Sequence, residues 1–409
     1  CFSVVVISVA VSEKHLLTND LPVRILTRRY IVTIQDIYGD TIRLTLQKFM
    51  VIVIDNRFPS AKPGGFELYT EMLLCELAAQ HPAYHFVVLT ADENAAGNTV
   101  ENIARIVTGV FPSGLKRWWW QRVGLPKLLR QQKASLYITC NELPLEKNEL
   151  PQLLLSSGPG WFDDGKKYHH RINIPADRWM TVTEFGRTQW LEQSRFLKGG
   201  KIAGIAVRPF FKPLEWEEKS LVKEQYTQGT EYFLCTGAFL PRKNLINLLK
   251  AFSLFKKRQQ SNLKLVIAGE AEEKYTAFEK ALGTYKYRSD VVLTGYLNGP
   301  ELARVTAAAY AVVYPSLYEE VATPVAEALQ AGVRVVAATG TAATEIAGEA
   351  ALHADPETPA SIADQLMRLY KDERLRTQMI RAGLEKAAGF SIAEAARRLA
   401  AMIEALPRN

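Results

Sequence analysis

Two glutamates eight positions apart, Glu319 and Glu327, stand in the segment Pro315-Ser316-Leu317-Tyr318-Glu319-Glu320-Val321-Ala322-Thr323-Pro324-Val325-Ala326-Glu327-Ala328. The segment reads as a strand end, a loop and a helix start. Thr323 has the residue type of an N-cap, Pro324 suits the first helical position, and Gly332 suits the stop. A helix N-terminus at the carboxyl end of a parallel strand presents unpaired N–H groups and positive dipole, an arrangement suited to a phosphate. Glu319 lies just before this turn and Glu327 in its first turn, so both carboxylates can reach one ligand whose phosphates sit between them. Arg242 and Lys243 follow an upstream strand. A guanidinium and an ammonium there suit a leaving diphosphate as negative charge develops on it. Each feature also has a plain structural reading: Glu327 as a dipole complement, Glu319 as a solvated loop residue, Pro241-Arg242-Lys243-Asn244 as a cap.

The elements that would position these residues form a repeating pattern. Short apolar runs, each followed by a glycine or proline turn and an amphipathic stretch, argue for βαβ units and parallel sheets. Val51–Asp55 is the first, followed by Gly64 and Gly65 and a helix from Glu67 to about Gln80. Strands follow at Phe86–Thr90, Leu136–Thr139, Leu153–Ser156 and Trp179–Thr183. The pattern restarts at Tyr232–Thr236, with a loop over Gly237–Asn244 and a helix over Leu245–Lys257. Leu263–Ala268, Val291–Thr294, Ala311–Tyr314 and Val333–Ala338 complete it. Two α/β domains of similar size, joined near Pro209–Pro213, fit this better than one continuous sheet. Open α/β sheets bind ligands beyond their strand ends, so two facing domains imply one cleft.

Composition narrows the field further. The chain has 409 residues, 48% hydrophobic and 23% charged, which excludes disorder, collagen-like repeats and coiled coil. No apolar run of eighteen residues occurs, so no transmembrane helix is expected. The four cysteines, Cys1, Cys75, Cys140 and Cys235, are scattered without ligand spacing. Neither a disulfide framework nor a zinc site is indicated, and a reducing compartment is the default. The net charge of +7 points to an anionic partner. Residues 1–49 do not read as a domain start: the apolar Phe2–Val11 has no basic segment before it and no cleavage pattern after it. Met50, directly before the first strand, is taken as the beginning of the fold.

Glu-x7-Glu in the context of Pro315-Ser316-Leu317-Tyr318-Glu319 and Pro324-Val325-Ala326-Glu327-Ala328 resembles the signature of retaining GT-B glycosyltransferases of family 4. Gly237–Asn244, Leu265–Gly269, Leu293–Leu297 with Glu301-Leu302, and Phe390-Ser391 resemble the family's flanking elements in the same order. The resemblance covers about residues 50 to 405 and is stronger in the second half. It implies an α/β GT-B fold, two facing Rossmann-like domains with a cleft between them. Its divisions are an atypical extension over 1–49, an acceptor-side domain over 50–210, a nucleotide-sugar-binding domain over 211–385, and a helix over 386–409 crossing back. It implies transfer of a hexose from a nucleotide sugar to a glycan or lipid-linked acceptor, with retention, in cell-surface polysaccharide synthesis.

The roles implied are residue by residue. Arg242 and Lys243 stabilise the departing diphosphate, and Glu319 contacts the donor sugar; these three are the catalytic candidates. Glu327 hydrogen-bonds the ribose, while Gly295, Val321 and Ala322 line the donor. Tyr296 lines the nucleobase pocket, with a core tyrosine as its competing reading. Gly64 and Gly65 form a loop near the phosphates and acceptor, which a simple turn would explain equally well. No cofactor and no metal is expected. The chain departs from the family at Glu320-Val321-Ala322, where Gly-Phe-Gly is usual, and at Ala238, where Arg is frequent. Those departures motivate the alternative of a non-catalytic nucleotide- or glycan-binding protein. His169 and His170 are read as solvated loop residues rather than catalytic bases.

One segment lies outside this frame. Lys116-Arg117-Trp118-Trp119-Trp120-Gln121-Arg122 continues through Lys127, Arg130 and Lys133, and no acidic residue occurs between Glu101 and Glu142. Basic residues mixed with tryptophan suit an anionic membrane surface. Three consecutive tryptophans cannot all face one core, which favours docking over burial. Single-stranded nucleic acid would suit the same mixture, but nothing else resembles a nucleic-acid module, and none is expected as partner. The expected location is the cytoplasm, including the inner face of the cell membrane.

Overall fold

The computed structural model describes residues 30–35, 41–46, 50–57, 64–91, 100–108, 114–140, 145, 150–158, 162–163, 166–167, 178–193, 199–270 and 276–406. Tyr30–Gln35 pairs antiparallel with Thr41–Leu46, and residues 1–50 cluster as a unit of their own. A second unit runs from Val51 onward. His169 and His170 lie outside the described residues.

Two parallel sheets organise this unit. In spatial order the seven strands of the first are Lys201–Ile202, Trp179–Thr181, Gln152–Ser156, Leu136–Thr139, Met50–Asp55, Tyr84–Thr90 and Ile103–Val107. The six strands of the second are Val291–Gly295, Lys264–Ala268, Tyr232–Thr236, Ala311–Tyr314, Val335–Ala338 and Ala351–Ala354. Apolar runs become strands covered on both faces, so Ile52, Val53 and Ile54 are fully buried. In the second sheet Tyr232 and Leu234 face an alanine-rich layer with Ala326, Ala328 and Ala343. Phe233 points the other way, onto Phe252 and Phe255. That alternation is the period of two that a strand imposes.

Each sheet reverses direction once. In the first, the chain moves outward from Met50–Asp55 to Ile103–Val107, then restarts beside Met50–Asp55 at Leu136–Thr139. In the second, it moves outward from Tyr232–Thr236 to Val291–Gly295, then restarts beside Tyr232–Thr236 at Ala311–Tyr314. Such reversals open a crevice beyond the strands' carboxyl ends. Gly64 and Gly65 follow the strand at the first reversal. Arg242, Lys243 and Glu319 lie in the two loops at the second.

The chain crosses between the sheets twice, and the crossings are tied together. Gly204, at φ +100°, takes the Tyr69 hydroxyl on its carbonyl at 2.7 Å. The Ser391 amide bonds the Ile205 carbonyl at 3.1 Å. Ser391 then caps the helix Ile392–Glu404, accepting from the Glu394 amide at 3.2 Å. That helix packs on the first helix, Gly65–Gln80, where Gln80 bonds the Ala393 carbonyl at 3.2 Å.

Candidate functional site

The second sheet's reversal brings the two loops edge to edge, the Leu317 amide bonding the Arg242 carbonyl at 2.8 Å. Arg242 and Lys243 sit in a single 3-10 turn, Pro241–Lys243, rather than at the opening of the helix, which begins at Leu245. The reason is Asn244, in the left-handed region at φ 60°. Its side chain donates to the carbonyls of Pro315 and Pro356 at 3.0 and 2.6 Å instead of capping the helix. Gly237, at φ +122°, leaves room for the lysine, because a Cβ there would lie 3.0 Å from Lys243 Cε.

Arg242, Lys243 and Glu319 converge on one point. Glu319 Oε1 accepts from Arg242 at 2.5 Å and from Lys243 at 2.6 Å. The Tyr314 hydroxyl accepts from Lys243 at 2.8 Å and donates to Glu319. Glu319 is therefore a buried ion-pair member rather than a solvated loop carboxylate. Burial pushes its carboxyl up, but the Arg242 and Lys243 cations outweigh this and hold it below the usual range. Lys243 is drawn below the usual lysine range by burial, with Arg242 adding to that and Glu319 opposing it. Among these three groups one carboxylate faces two cations, so an anion that joins them meets preformed positive charge.

The helix after Glu319 spans Thr323–Gln330, with Pro324 in its first turn. Two expectations are corrected here. Thr323 is the first helical residue and not the cap; Ala322 occupies that place, at φ 43° and ψ 44°, with no capping side chain. Glu327 is the fifth residue of the helix and lies in its second turn. Its Oε1 accepts from Arg208 Nε at 3.0 Å and Nη2 at 2.6 Å, so it is not simply a dipole complement. Burial pushes the Glu327 carboxyl up to about 7 against the pull of Arg208.

The first sheet's contribution comes from its own reversal. Gly64 precedes the first helix, and a Cβ on Gly65 would collide with the Thr323 hydroxyl. Gly65 is thus where the first domain's helix start meets the start of the Thr323 helix, a closer constraint than a simple turn. Glu67, which the motif reading passed over, accepts from its own amide and that of Gly64. Burial raises its carboxyl, and Arg242 is close enough to oppose the shift. Its signal in sequence was its place two residues after Gly65.

Tyr296 is half exposed at 48%, which removes the core reading, and its amide donates to Glu270 at 3.3 Å. Gly295 has φ +70° and Gly269 approaches the Gly237 carbonyl, so three strand-end loops gather there. Val321 and Ala322 are buried apolar residues. Glu320 bridges the domains: its carboxylate accepts from Ser157 Oγ at 2.8 Å and Tyr318 OH at 2.7 Å, and its carbonyl accepts from Thr183 Oγ1 at 2.6 Å. Among the described residues no group of three His, Cys, Asp or Glu could hold a metal ion.

The tryptophan segment folds as Gly114–Trp119, a π-turn over Trp120–Gly124, and Leu125–Gln131. Trp120 turns inward with the Arg57 guanidinium 4.7 Å from its ring. Leu115, Trp118, Trp119 and Val123 are exposed, at 84, 54, 53 and 44%. Lys116, Arg122, Lys127, Arg130 and Lys133 are exposed around them. Among the described residues no helix is long and apolar enough to cross a membrane.

Residues 217–386 match the family model described as Glycosyl transferases group 1. The O-antigen chain mannosyltransferase B of Escherichia coli is 31% identical over 220 residues, 52% of this chain and 56% of that protein. The chain thus spans about half the length of the curated relatives it matches. Among solved structures, WaaG, a glycosyltransferase involved in lipopolysaccharide biosynthesis, aligns with a TM-score of 0.70 at 14% identity, covering 87% of this chain and 100% of that one. Sucrose-phosphate synthase from Thermosynechococcus elongatus aligns with a TM-score of 0.72 at 18% identity, covering 87% and 98%. The chain has the GT-B fold, and its second domain is similar to the glycosyl transferases group 1 family over residues 217–386.

Proposed function

We propose that the protein is a retaining glycosyltransferase that moves a hexose from a nucleotide sugar to a glycan or lipid-linked acceptor in polysaccharide synthesis. The observation that carries this reading is the convergence of Arg242 and Lys243 on Glu319 beside the Thr323 helix. Glu319 holds both cations in place before the donor arrives, and the surplus positive charge meets the diphosphate as it departs. Ground-state binding alone would not accelerate the step; charge that grows in the transition state makes the cations useful. The acceptor hydroxyl loses its proton to the departing diphosphate oxygen on the same face, so configuration is retained and no protein base is needed. The two cations and the helix N-terminus take the place of a metal ion, and family 4 is the assignment we favour.

Mannose is the sugar to test first, because it is the one named for the Escherichia coli relative. The non-catalytic alternative rested on Glu320 and Ala238, and the Glu320 carboxylate is directed to Ser157 and Tyr318. Nucleoside diphosphate release should be measured with UDP-, GDP- and ADP-hexoses, with and without EDTA. Release unaffected by EDTA is expected. Binding without release from every donor would instead establish the non-catalytic reading, and activity lost in EDTA and restored by manganese would overturn the metal-free step.

The exposed Leu115, Trp118, Trp119 and Val123, in one segment with exposed Lys116, Arg122 and Lys127, also support docking on anionic lipid at the inner face of the cell membrane. Sedimentation with vesicles should require anionic lipid and fall with salt, and Trp118→Ser with Trp119→Ser should abolish it. Equal binding to zwitterionic vesicles would sink this part.

A further inference from the structure

Arg208 lies on the chain crossing between the two sheets, outside every motif, yet it is fastened to the Thr323 helix at three points. Its guanidinium donates twice to Glu327 Oε1. Its carbonyl accepts from Gln330 Nε2 at 3.2 Å, and the same nitrogen bonds the Phe211 carbonyl at 2.9 Å. Its guanidinium also lies 5.1 and 4.8 Å from the rings of Phe210 and Phe211. Both bonds to Glu327 end on one oxygen. The other, Oε2, takes no hydrogen bond among the described residues and keeps some open surface, on a side chain that is only 8% exposed. An acceptor that a buried carboxylate leaves open at the surface, with its other oxygen already fixed, is placed to bond a ligand.

We propose that Arg208 is a positioning residue for nucleotide binding: it fixes Glu327 by Oε1 so that Oε2 receives the ribose hydroxyls of the donor. This rests on the ribose role of Glu327. A guanidinium held between two rings and a helix side chain loses little freedom on making these bonds, so it orients the carboxylate at low entropic cost. The pairing also favours the charged form of the acceptor. The elements packed against the Thr323 helix carry Glu67, Glu301, Arg304, Glu345, Arg381 and Glu385, but only Arg208 acts appreciably on the Glu327 carboxyl. Burial raises that carboxyl to about 7, and Arg208 opposes the rise. Nucleotide affinity should therefore climb as pH rises through about 7, because the ionised form is the stronger acceptor.

The test uses the full chain and whichever of UDP, GDP and ADP binds most tightly, together with its 2′,3′-dideoxy analogue. Glu327→Gln should weaken the ribonucleotide and leave the dideoxy form unchanged. Arg208→Gln should weaken the ribonucleotide by about tenfold, leave the dideoxy form within about twofold, and move the affinity midpoint to higher pH. Arg208→Lys should restore part of the loss. If Glu327→Gln costs nothing, the ribose reading fails. If Glu327→Gln discriminates while Arg208→Gln weakens both nucleotides equally, or neither, or leaves the pH midpoint in place, the positioning role is overturned.

Discussion

At the scale of single residues, Lys243 is the sharpest test of the site. It is buried, bonded to Glu319 and Tyr314, and drawn below the usual lysine range by its burial. If its charge meets the departing diphosphate, Lys243→Ala should lower kcat by about 100-fold, the scale of losing one preorganised electrostatic donor. A wild-type rate in that variant would remove Lys243 from the chemistry. Ala322 makes a different prediction. It is a non-glycine residue in the left-handed region, where a Cβ costs about 1–2 kcal/mol. Ala322→Gly relieves that strain but enlarges the unfolded ensemble, so a net stabilisation of about 0.5–1 kcal/mol is expected. Denaturant unfolding measures it; a destabilised glycine variant would mean that this backbone conformation is not maintained.

At the scale of elements, what was legible followed from patterns with one strong physical cause. Continuous apolar runs such as Val51–Asp55 and Tyr232–Thr236 can only be buried strands, and they are. Ile103–Val107 was missed because it is an edge strand, largely half-buried, with no glycine closing it. Ala351–Ala354 was missed because alanine and histidine give no β signal. The start of the Thr323 helix was misread by one residue because local propensity favours threonine as a cap, whereas packing of Thr323 against Gly65 draws it into the helix. Arg208 and Glu320 were hidden for a deeper reason: their partners lie 119 and 163 residues away. The helix Glu184–Gln193 shows the same reach. Its first amides, Glu184 and Phe185, are bonded by the Glu345 carboxylate at 2.9 and 2.7 Å, and Gly186 by Thr183 Oγ1 at 3.0 Å. Two of three free amides are thus satisfied from the second domain. Glu345→Ala should cost about 1 kcal/mol, the usual value of a helix cap with favourable charge, read from urea unfolding. No change would show that water replaces the carboxylate without loss.

At the scale of the whole molecule, the relative placement of the two domains governs whether Glu67, Gly65 and the cation cluster share one cleft. Gly204 is held to the first domain by Tyr69 and the Val182 carbonyl, while Arg208 is held to the second by Gln330 and Glu327. The stretch of that crossing between the two anchorages is therefore Ile205–Val207, where the Ile205 carbonyl takes the Ser391 amide. Glu320 acts at a distance from this stretch. Its carboxylate stands where glycine is usual in the family that the sequence resembles, and it accepts from Ser157 of the other domain. Both partners are half-buried, so the bond contributes about 0.5–1.5 kcal/mol, enough to shift a closure equilibrium by about several-fold. Glu320→Ala removes the acceptor of both hydroxyls, whereas Glu320→Gln keeps one oxygen to receive Ser157. The alanine variant should show a larger radius of gyration by small-angle scattering and a several-fold higher KM for donor, with kcat at saturation largely kept. The glutamine variant should lie close to wild type. A nucleotide that binds across both domains favours the closed arrangement, so on the proposed function excess nucleotide should return the alanine variant to the wild-type radius. Identical scattering and KM in wild type and Glu320→Ala would mean that the crossing and the Gly65–Thr323 contact set the domain placement without the Ser157 bridge.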